Sequence, residues 1–138
     1  MYDAVVAGGS ISGLLAAREI AKNGHSVLVL EEGFEVGSPE HCGGLVSENA
    51  LKELGIEPSP KTFDSKVECA KIFSPEGKEI TINSKRQKII VINRRELDKQ
   101  AARQARDNGA EISVKTSFKE KNDNTIRTSN GNVECKFF

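Results

Sequence analysis

Gly8, Ser10, Gly13 and Glu31 are the residues whose types and spacing could do chemistry. Read as G-x-G-x-x-G, the run Gly8-Gly-Ser-Ile-Ser-Gly13 carries serine where the middle glycine would stand. Glycines in this pattern let the backbone approach a pyrophosphate. A helix starting behind them turns its free N–H groups and positive dipole end toward that anion. Ser10 adds one small side chain, and its hydroxyl can donate to a phosphate oxygen. Glu31 stands 18 residues beyond Gly13, near the roughly 20 expected of an acid that accepts hydrogen bonds from an adenosine ribose. A carboxylate there favours a free 2′-hydroxyl and repels a 2′-phosphate, which argues against NADP. FAD and NAD both remain open on these residues. The plain alternative is an ordinary glycine-rich turn, with Gly8 serving turn geometry and Gly13 helix–strand packing.

The elements that would position these residues surround them. Ala4–Ala7 is a short apolar strand. Leu14–Lys22 is an apolar, helix-favouring run that Asn23-Gly24 ends. Ser26–Leu30 is a second buried strand, with Glu31 at its tip. Together they form a complete βαβ dinucleotide-binding unit. Residues 32–47, rich in Gly, Ser and Pro, read as a loop. Ser47 caps a short helix that Gly55 stops. Val67–Phe73 and Glu79–Ile82 are strands joined by the turn Ser74-Pro-Glu-Gly-Lys78, and Lys88–Asn93 is another strand. Arg95–Asn108 is a helix carrying Leu97, Ala101, Ala102 and Ala105. Ala110–Val114 adds a third strand to the parallel sheet. Thr125–Thr128 and Val133–Phe138 flank Asn130-Gly131, a hairpin signal. The expected class is therefore α/β. It is a Rossmann-like FAD/NAD(P)-binding fold, a parallel sheet with a βαβ start plus an added antiparallel β-meander. Three parallel strands leave a face and edges uncovered, and the chain stops on Phe137-Phe138 inside an apparent strand. The expectation is a truncated chain. Residues 1–138 would be one FAD-binding domain, the N-terminal part of a larger flavoprotein.

Composition narrows the partners. With 20 basic and 20 acidic residues spread along 138 positions, bulk electrostatics gives no reason to expect nucleic acid. No apolar run reaches the roughly 18 residues of a membrane span, which leaves peripheral membrane contact open. Three cysteines, Cys42, Cys69 and Cys135, lack C-x-x-C spacing, which suggests reduced thiols in a cytoplasm. Cys69 and Cys135 read as small core residues in alternating strands. His25 and His41 join no other ligands in a metal-like pattern, so no metal is expected, and His41 reads as polar loop surface. Lys85-Arg-Gln-Lys88 reads as a solvated turn.

Three stretches carry a family resemblance. Val6-Ala-Gly-Gly-Ser-Ile-Ser-Gly-Leu-Leu-Ala-Ala-Arg18, Val36-Gly-Ser-Pro-Glu-His-Cys-Gly-Gly-Leu-Val-Ser47 and Ile92-Asn-Arg-Arg-Glu-Leu-Asp-Lys-Gln-Ala101 resemble the N-terminal third of FAD-dependent oxidoreductases of the geranylgeranyl reductase family. They correspond to the first FAD motif, the Cys-containing loop and the D-R-x-x-F-D segment, the last with Asn93 and Leu97 for the usual Asp and Phe. The first motif is shared by very many flavoproteins, whereas the loop is specific to reductases of prenyl chains. The resemblance implies FAD as cofactor and reduction of isoprenoid double bonds in prenyl lipids. It implies that Gly8, Ser10, Ser12 and Gly13 hold the pyrophosphate and Glu31 the ribose. Cys42, Gly43 and Gly44 would lie along the flavin, Arg94 would contact FAD, and the Phe118 backbone would meet adenine.

Each of these positions also has a plain reading. Cys42 can be a small loop residue, Ser12 a small residue facing the sheet, and Arg94 or Arg95 a solvated helix start. Positive charge at a helix N-terminus is locally unfavourable, which favours a ligand for Arg94. No catalytic residue is identifiable from chemistry alone. Three functions stay in play: the prenyl reductase, a flavin monooxygenase of the same architecture, and a non-catalytic dinucleotide-binding module. Bare apolar surface at Phe137 and Phe138 would favour a homo-oligomer.

Overall fold

The computed structural model of the chain describes residues 1–40, 42–83 and 88–138, so His41 and most of the expected turn Lys85–Lys88 lie outside them. The chain forms two compact units, residues 1–40 with 95–138, and residues 41–94.

The first unit opens with β1 (Tyr2–Ala7), α1 (Ile11–Lys22) and β2 (Val27–Leu30). All four β2 residues are buried, the near-continuous apolar pattern of a parallel strand covered on both faces. The chain later adds α3 (Arg94–Asp107), β8 (Glu111–Ser113), β9 (Phe118–Asn122), β10 (Thr125–Thr128) and β11 (Gly131–Phe137). These strands form one six-stranded sheet in the order β8-β2-β1-β11-β10-β9. The parallel part has four strands rather than the three expected, because β11 pairs parallel with β1, Ala4 opposite Phe137. β9, β10 and β11 form the expected antiparallel meander. β9 went unread in the sequence: Phe118-Lys-Glu-Lys-Asn122 has little apolar alternation and every residue is exposed.

The side chains of β1 and β2 alternate between two core clusters. Val27 and Val29 meet Leu14, Ala17 and Ala21 of α1 and Ala101, Ala102 and Ala105 of α3. Val5, Leu28 and Leu30 meet Ile126 and Cys135 on the other face. The alanines on α1 and α3 let the helix backbones come close to the sheet. At the amino end of β1, Asp3 accepts from Lys136 Nζ at 2.7 Å and from Ser26 Oγ at 2.8 Å. The Lys136 bond, then those from Ser26, hold the Asp3 carboxyl well below the usual carboxylate range.

The second unit holds β3 (Leu45–Ser47), α2 (Glu48–Glu53), β4 (Phe63–Val67), β5 (Cys69–Phe73), β6 (Glu79–Asn83) and β7 (Ile89–Ile92). β3, β7 and β4 form one sheet, while β5 and β6 pair only with each other among the described strands. β3 lies in the stretch expected to be wholly loop. The single strand expected over Val67–Phe73 is broken at Glu68, and its two parts belong to different sheets. Cys69, expected in a core, is exposed on the β5–β6 hairpin, because among the described residues no layer covers that pair. Cys135 is fully buried.

Candidate functional site

The carboxyl ends of β1 and β2 deliver the candidate residues. In open parallel sheets, the crevice beyond these ends is where ligands bind. The Gly8 N–H donates to the Leu30 carbonyl at 2.8 Å, so the turn leaves β1 still tied to β2. α1 starts at Ile11, earlier than the Leu14 expected, and brings Ser12 and Gly13 into its first turn. A Cβ on Gly13 would stand 2.1 Å from the Gly8 carbonyl oxygen and 3.1 Å from Val6 Cγ1. Only glycine fits where α1 crosses the turn.

Ser10 is the N-cap residue of α1, and its side chain makes no capping hydrogen bond. No acidic side chain stands in the first turn of α1. α2 and α3, by contrast, carry Glu48 and Glu96 in theirs. The α1 N-terminus therefore keeps its positive end for an outside anion. Ser12 is exposed rather than turned to the sheet.

Glu31 is held from both sides. Its Oε2 accepts from the Gly9 N–H at 2.8 Å and its Oε1 from the Gly33 N–H at 2.7 Å. Its own backbone ties β2 to β8 and the loop beyond, with Glu31 N–H to the Ser113 carbonyl at 2.9 Å and Thr116 N–H to the Glu31 carbonyl at 2.8 Å. Each carboxylate oxygen has a second lone pair, so the group can still accept from hydroxyls while its orientation is fixed. Gly9 and Gly33 did not stand out in the sequence; the Gly8-Gly9 doublet was the available signal.

A cavity of about 280 Å³ opens here, lined by Ala7, Gly8, Leu30, Glu31, Glu32, Thr116, Ser117 and Phe118. Thr116 is buried and tied to Ser113 Oγ at 2.8 Å and Asn130 Nδ2 at 2.9 Å, which fixes that wall. The volume lies just below the roughly 300–1,000 Å³ typical of ligand pockets. It suits a nucleoside rather than a whole dinucleotide. The first unit thus brings Gly8, Glu31 and Phe118 to one cavity, with Ser10, Ser12 and Gly13 at the helix start behind it. An adenosine diphosphate group fits this donor and acceptor set.

Cys42, Gly43, Gly44 and Arg94 belong to the second unit. Cys42 and Gly43 are exposed. Gly44 has φ +73°, and a Cβ there would lie 2.1 Å from the Ile92 carbonyl oxygen. Its glycine is required by backbone packing against β7 whatever else it does. Arg94 opens α3 half-buried. Arg95 is engaged inside the first unit: its guanidinium pairs with Glu35, and Lys99 Nζ lies 3.0 Å from the same carboxylate. The Lys99 hydrogen bond first, and the charges of Arg95 and Lys99, hold the Glu35 carboxyl below its ordinary range. Glu40 accepts from the Arg95 N–H at 3.1 Å. Acids of the chain itself thus face Arg95 and Lys99 at this helix start.

Among the described residues, no group of three or more His, Cys, Asp or Glu could hold a metal ion. No described helix is long and apolar enough to cross a membrane.

The family described as NAD(P)-binding Rossmann-like domain matches residues 6–73. The digeranylgeranylglycerophospholipid reductase of Methanocella arvoryzae is 36% identical over 118 residues, which is 83% of this chain and 30% of that protein. The reductase of the same name from Methanocaldococcus jannaschii is 32% identical over 117 residues, 85% of this chain and 29% of that protein. A solved geranylgeranyl bacteriochlorophyll reductase-like protein of Thermoplasma acidophilum superposes with TM-score 0.82 at 32% identity, covering 97% of this chain and 36% of that one. In sequence and in fold the chain is similar to part of these longer reductases. It spans about 30% of the length of these curated digeranylgeranylglycerophospholipid reductases. Its α/β Rossmann-like architecture is the one that the family resemblance implied.

Proposed function

We propose that this chain carries the cofactor-binding part of an FAD-dependent reductase of isoprenoid double bonds in prenyl lipids. The observation that carries the reading is the Glu31 carboxylate, fixed by two backbone N–H groups at the cavity beside the acid-free start of α1. That arrangement suits the adenosine diphosphate half of FAD. Glu31 would accept from the ribose hydroxyls, and Ser10, Ser12 and the first N–H groups of α1 would meet the diphosphate. The relatives' names favour a prenyl-lipid substrate over the monooxygenase alternative. Bound FAD, once reduced, supplies a hydride equivalent to a carbon–carbon double bond.

The residues of this chain bind and orient; none of them is assigned a proton transfer. In this reading Cys42, Gly43, Gly44 and Arg94 serve the flavin side of the cofactor, and residues 1–138 are an FAD-binding domain, the N-terminal part of a larger flavoprotein. The prenyl chain would bind in the part of the longer relatives that lies outside the stretch matched by these residues. Work in the cytoplasm at the membrane surface and assembly into a homo-oligomer belong to the same reading.

The test is titration of the 138-residue chain and its Gly13→Val variant with FAD, followed by flavin fluorescence. The wild type is expected to bind weakly and saturably. A branched side chain at Gly13 collides with the Gly8 carbonyl, so a folded variant is expected to lose that binding. Unchanged affinity in a folded Gly13→Val protein would refute the assignment.

A further inference from the structure

The cavity wall at Phe118 has a backing that neither the motif nor the family resemblance supplies. The rings of Phe118 and Phe138 are stacked, centroids 4.7 Å apart and planes 24° apart. Phe118 opens β9 and faces Thr128 across the strand pair. Its loop is pinned by the Ser117 N–H to Ser129 Oγ at 3.1 Å and the Ser129 N–H to the Ser117 carbonyl at 2.9 Å. Phe138 follows β11, which runs parallel to β1 with Phe137 opposite Ala4. It therefore lies toward the carboxyl end of the parallel strands, the end that also carries Gly8 and Glu31. Both rings are partly exposed, Phe118 at 38% and Phe138 at 48%. A half-exposed ring with no neighbour would turn among rotamers, and a stacked one is held.

We propose that Phe138 is a positioning residue for the nucleoside end of this cavity. It fixes the Phe118 ring as an apolar wall against which a planar base is ordered, beside the carboxylate that takes the ribose. The inference rests on the reading that the cavity holds an adenosine group, and it adds that recognition of the base, separately from ribose and phosphate, depends on the Phe118–Phe138 stack. Phe137, its neighbour in sequence, is 72% exposed and takes no part in the stack.

Two small ligands separate base from sugar phosphate: AMP and ribose 5-phosphate. Binding to the 138-residue chain is followed by NMR at the Gly9 amide, in the wild type, Phe138→Leu, Phe138→Tyr and Glu31→Gln. Phe138→Leu keeps an apolar side chain and removes the ring pair. It is expected to weaken AMP by about two- to tenfold, the worth of one aromatic pair, and to leave ribose 5-phosphate unchanged. Phe138→Tyr is expected to restore AMP binding, and Glu31→Gln to weaken both ligands together. Equal AMP affinity in the wild type and Phe138→Leu would overturn the proposal. A parallel loss of both ligands in Phe138→Leu would overturn it too, by showing a merely structural role. Wild-type AMP binding no tighter than that of ribose 5-phosphate would remove the base wall and leave the ribose site standing. No saturable shift with either ligand in the wild type would refute the underlying reading and the proposal with it.

Discussion

Two helices of this chain carry candidate cofactor residues at their starts, and the two beginnings differ. At α1 the first turn holds no acid, and the N-cap Ser10 side chain makes no capping bond. At α3 the first turn holds Glu96, Glu40 accepts from the Arg95 N–H, and Glu35 pairs with Arg95 and Lys99. Both helix starts have the same unsatisfied N–H groups and the same dipole. The α3 start is supplied with negative charge by the chain itself, whereas the α1 start is left to something else. The nearest acid to the α1 turn, Glu31, is turned to the Gly9 and Gly33 amides. The first turn of α1 thus has no acidic side chain of its own, whereas Arg95 and Lys99 at α3 are met by acids of the chain.

The largest effect is expected at Glu31. Glu31→Gln keeps the shape but sets an NH₂ group against one of two backbone N–H donors. Leaving a donor unpaired costs about 1–3 kcal/mol. Chemical denaturation should show a stability loss of that order, together with weakened adenine-nucleotide binding. A variant as stable as the wild type would mean that the two amide contacts do not hold the loop, and the contrast between the helix starts would lose its basis.

How much of this was legible in the sequence depended on how local the cause was. The βαβ start was readable because its period, its turn and its terminal acid all lie within 30 consecutive residues. The hairpin of β10 and β11 was readable from Asn130-Gly131. The parallel pairing of β11 with β1 was not, since nothing in Val133–Phe138 names a partner more than a hundred residues away. β9 was missed because its residues are exposed and charged, so its only signal was the Asn122-Asp-Asn124 turn. Cys69 was misplaced because alternation in β5 looked like a half-buried strand, while in the fold that hairpin is exposed along its whole length. At the site, Gly8, Gly13 and Glu31 were visible as types and spacings. The Gly9 and Gly33 amides that aim Glu31 are backbone groups, and sequence says little about where those point.

A second variant sharpens the comparison by making α1 resemble α3. Ser12 is exposed in the first turn, so Ser12→Glu places a carboxylate at the positive end of the helix. That should stabilise the folded chain by about 0.3–1 kcal/mol. It should also abolish diphosphate binding, since the introduced charge occupies the same field. Thermal denaturation and nucleotide titration on one preparation read both changes. Gain in both would contradict the anion role of this helix start.

The smallest effect is expected at α3. The Glu35 carboxyl is held below its ordinary range in the folded chain, first by Lys99 and then by Arg95. Its contribution is therefore complete above the ordinary glutamate value of about 4.3 and is lost as pH falls through the lower folded value. Stability of the wild type against Glu35→Gln, followed from pH 7 to pH 3, should converge at the acid end. A gap that stays constant over that range would show that the pair with Lys99 and Arg95 is not what Glu35 contributes.

The central claim is that the cavity at Gly8, Glu31 and Phe118 receives an adenosine diphosphate group. Backbone amide shifts of the 138-residue chain during titration with ADP test it most directly. The account predicts one saturable set of shifts, centred on Gly9, Ser10, Ser12 and Gly33 and extending to Phe118, with the Arg95 amide at the start of α3 unmoved. Shifts centred on the start of α3, or none that saturate at any of these amides, would contradict it.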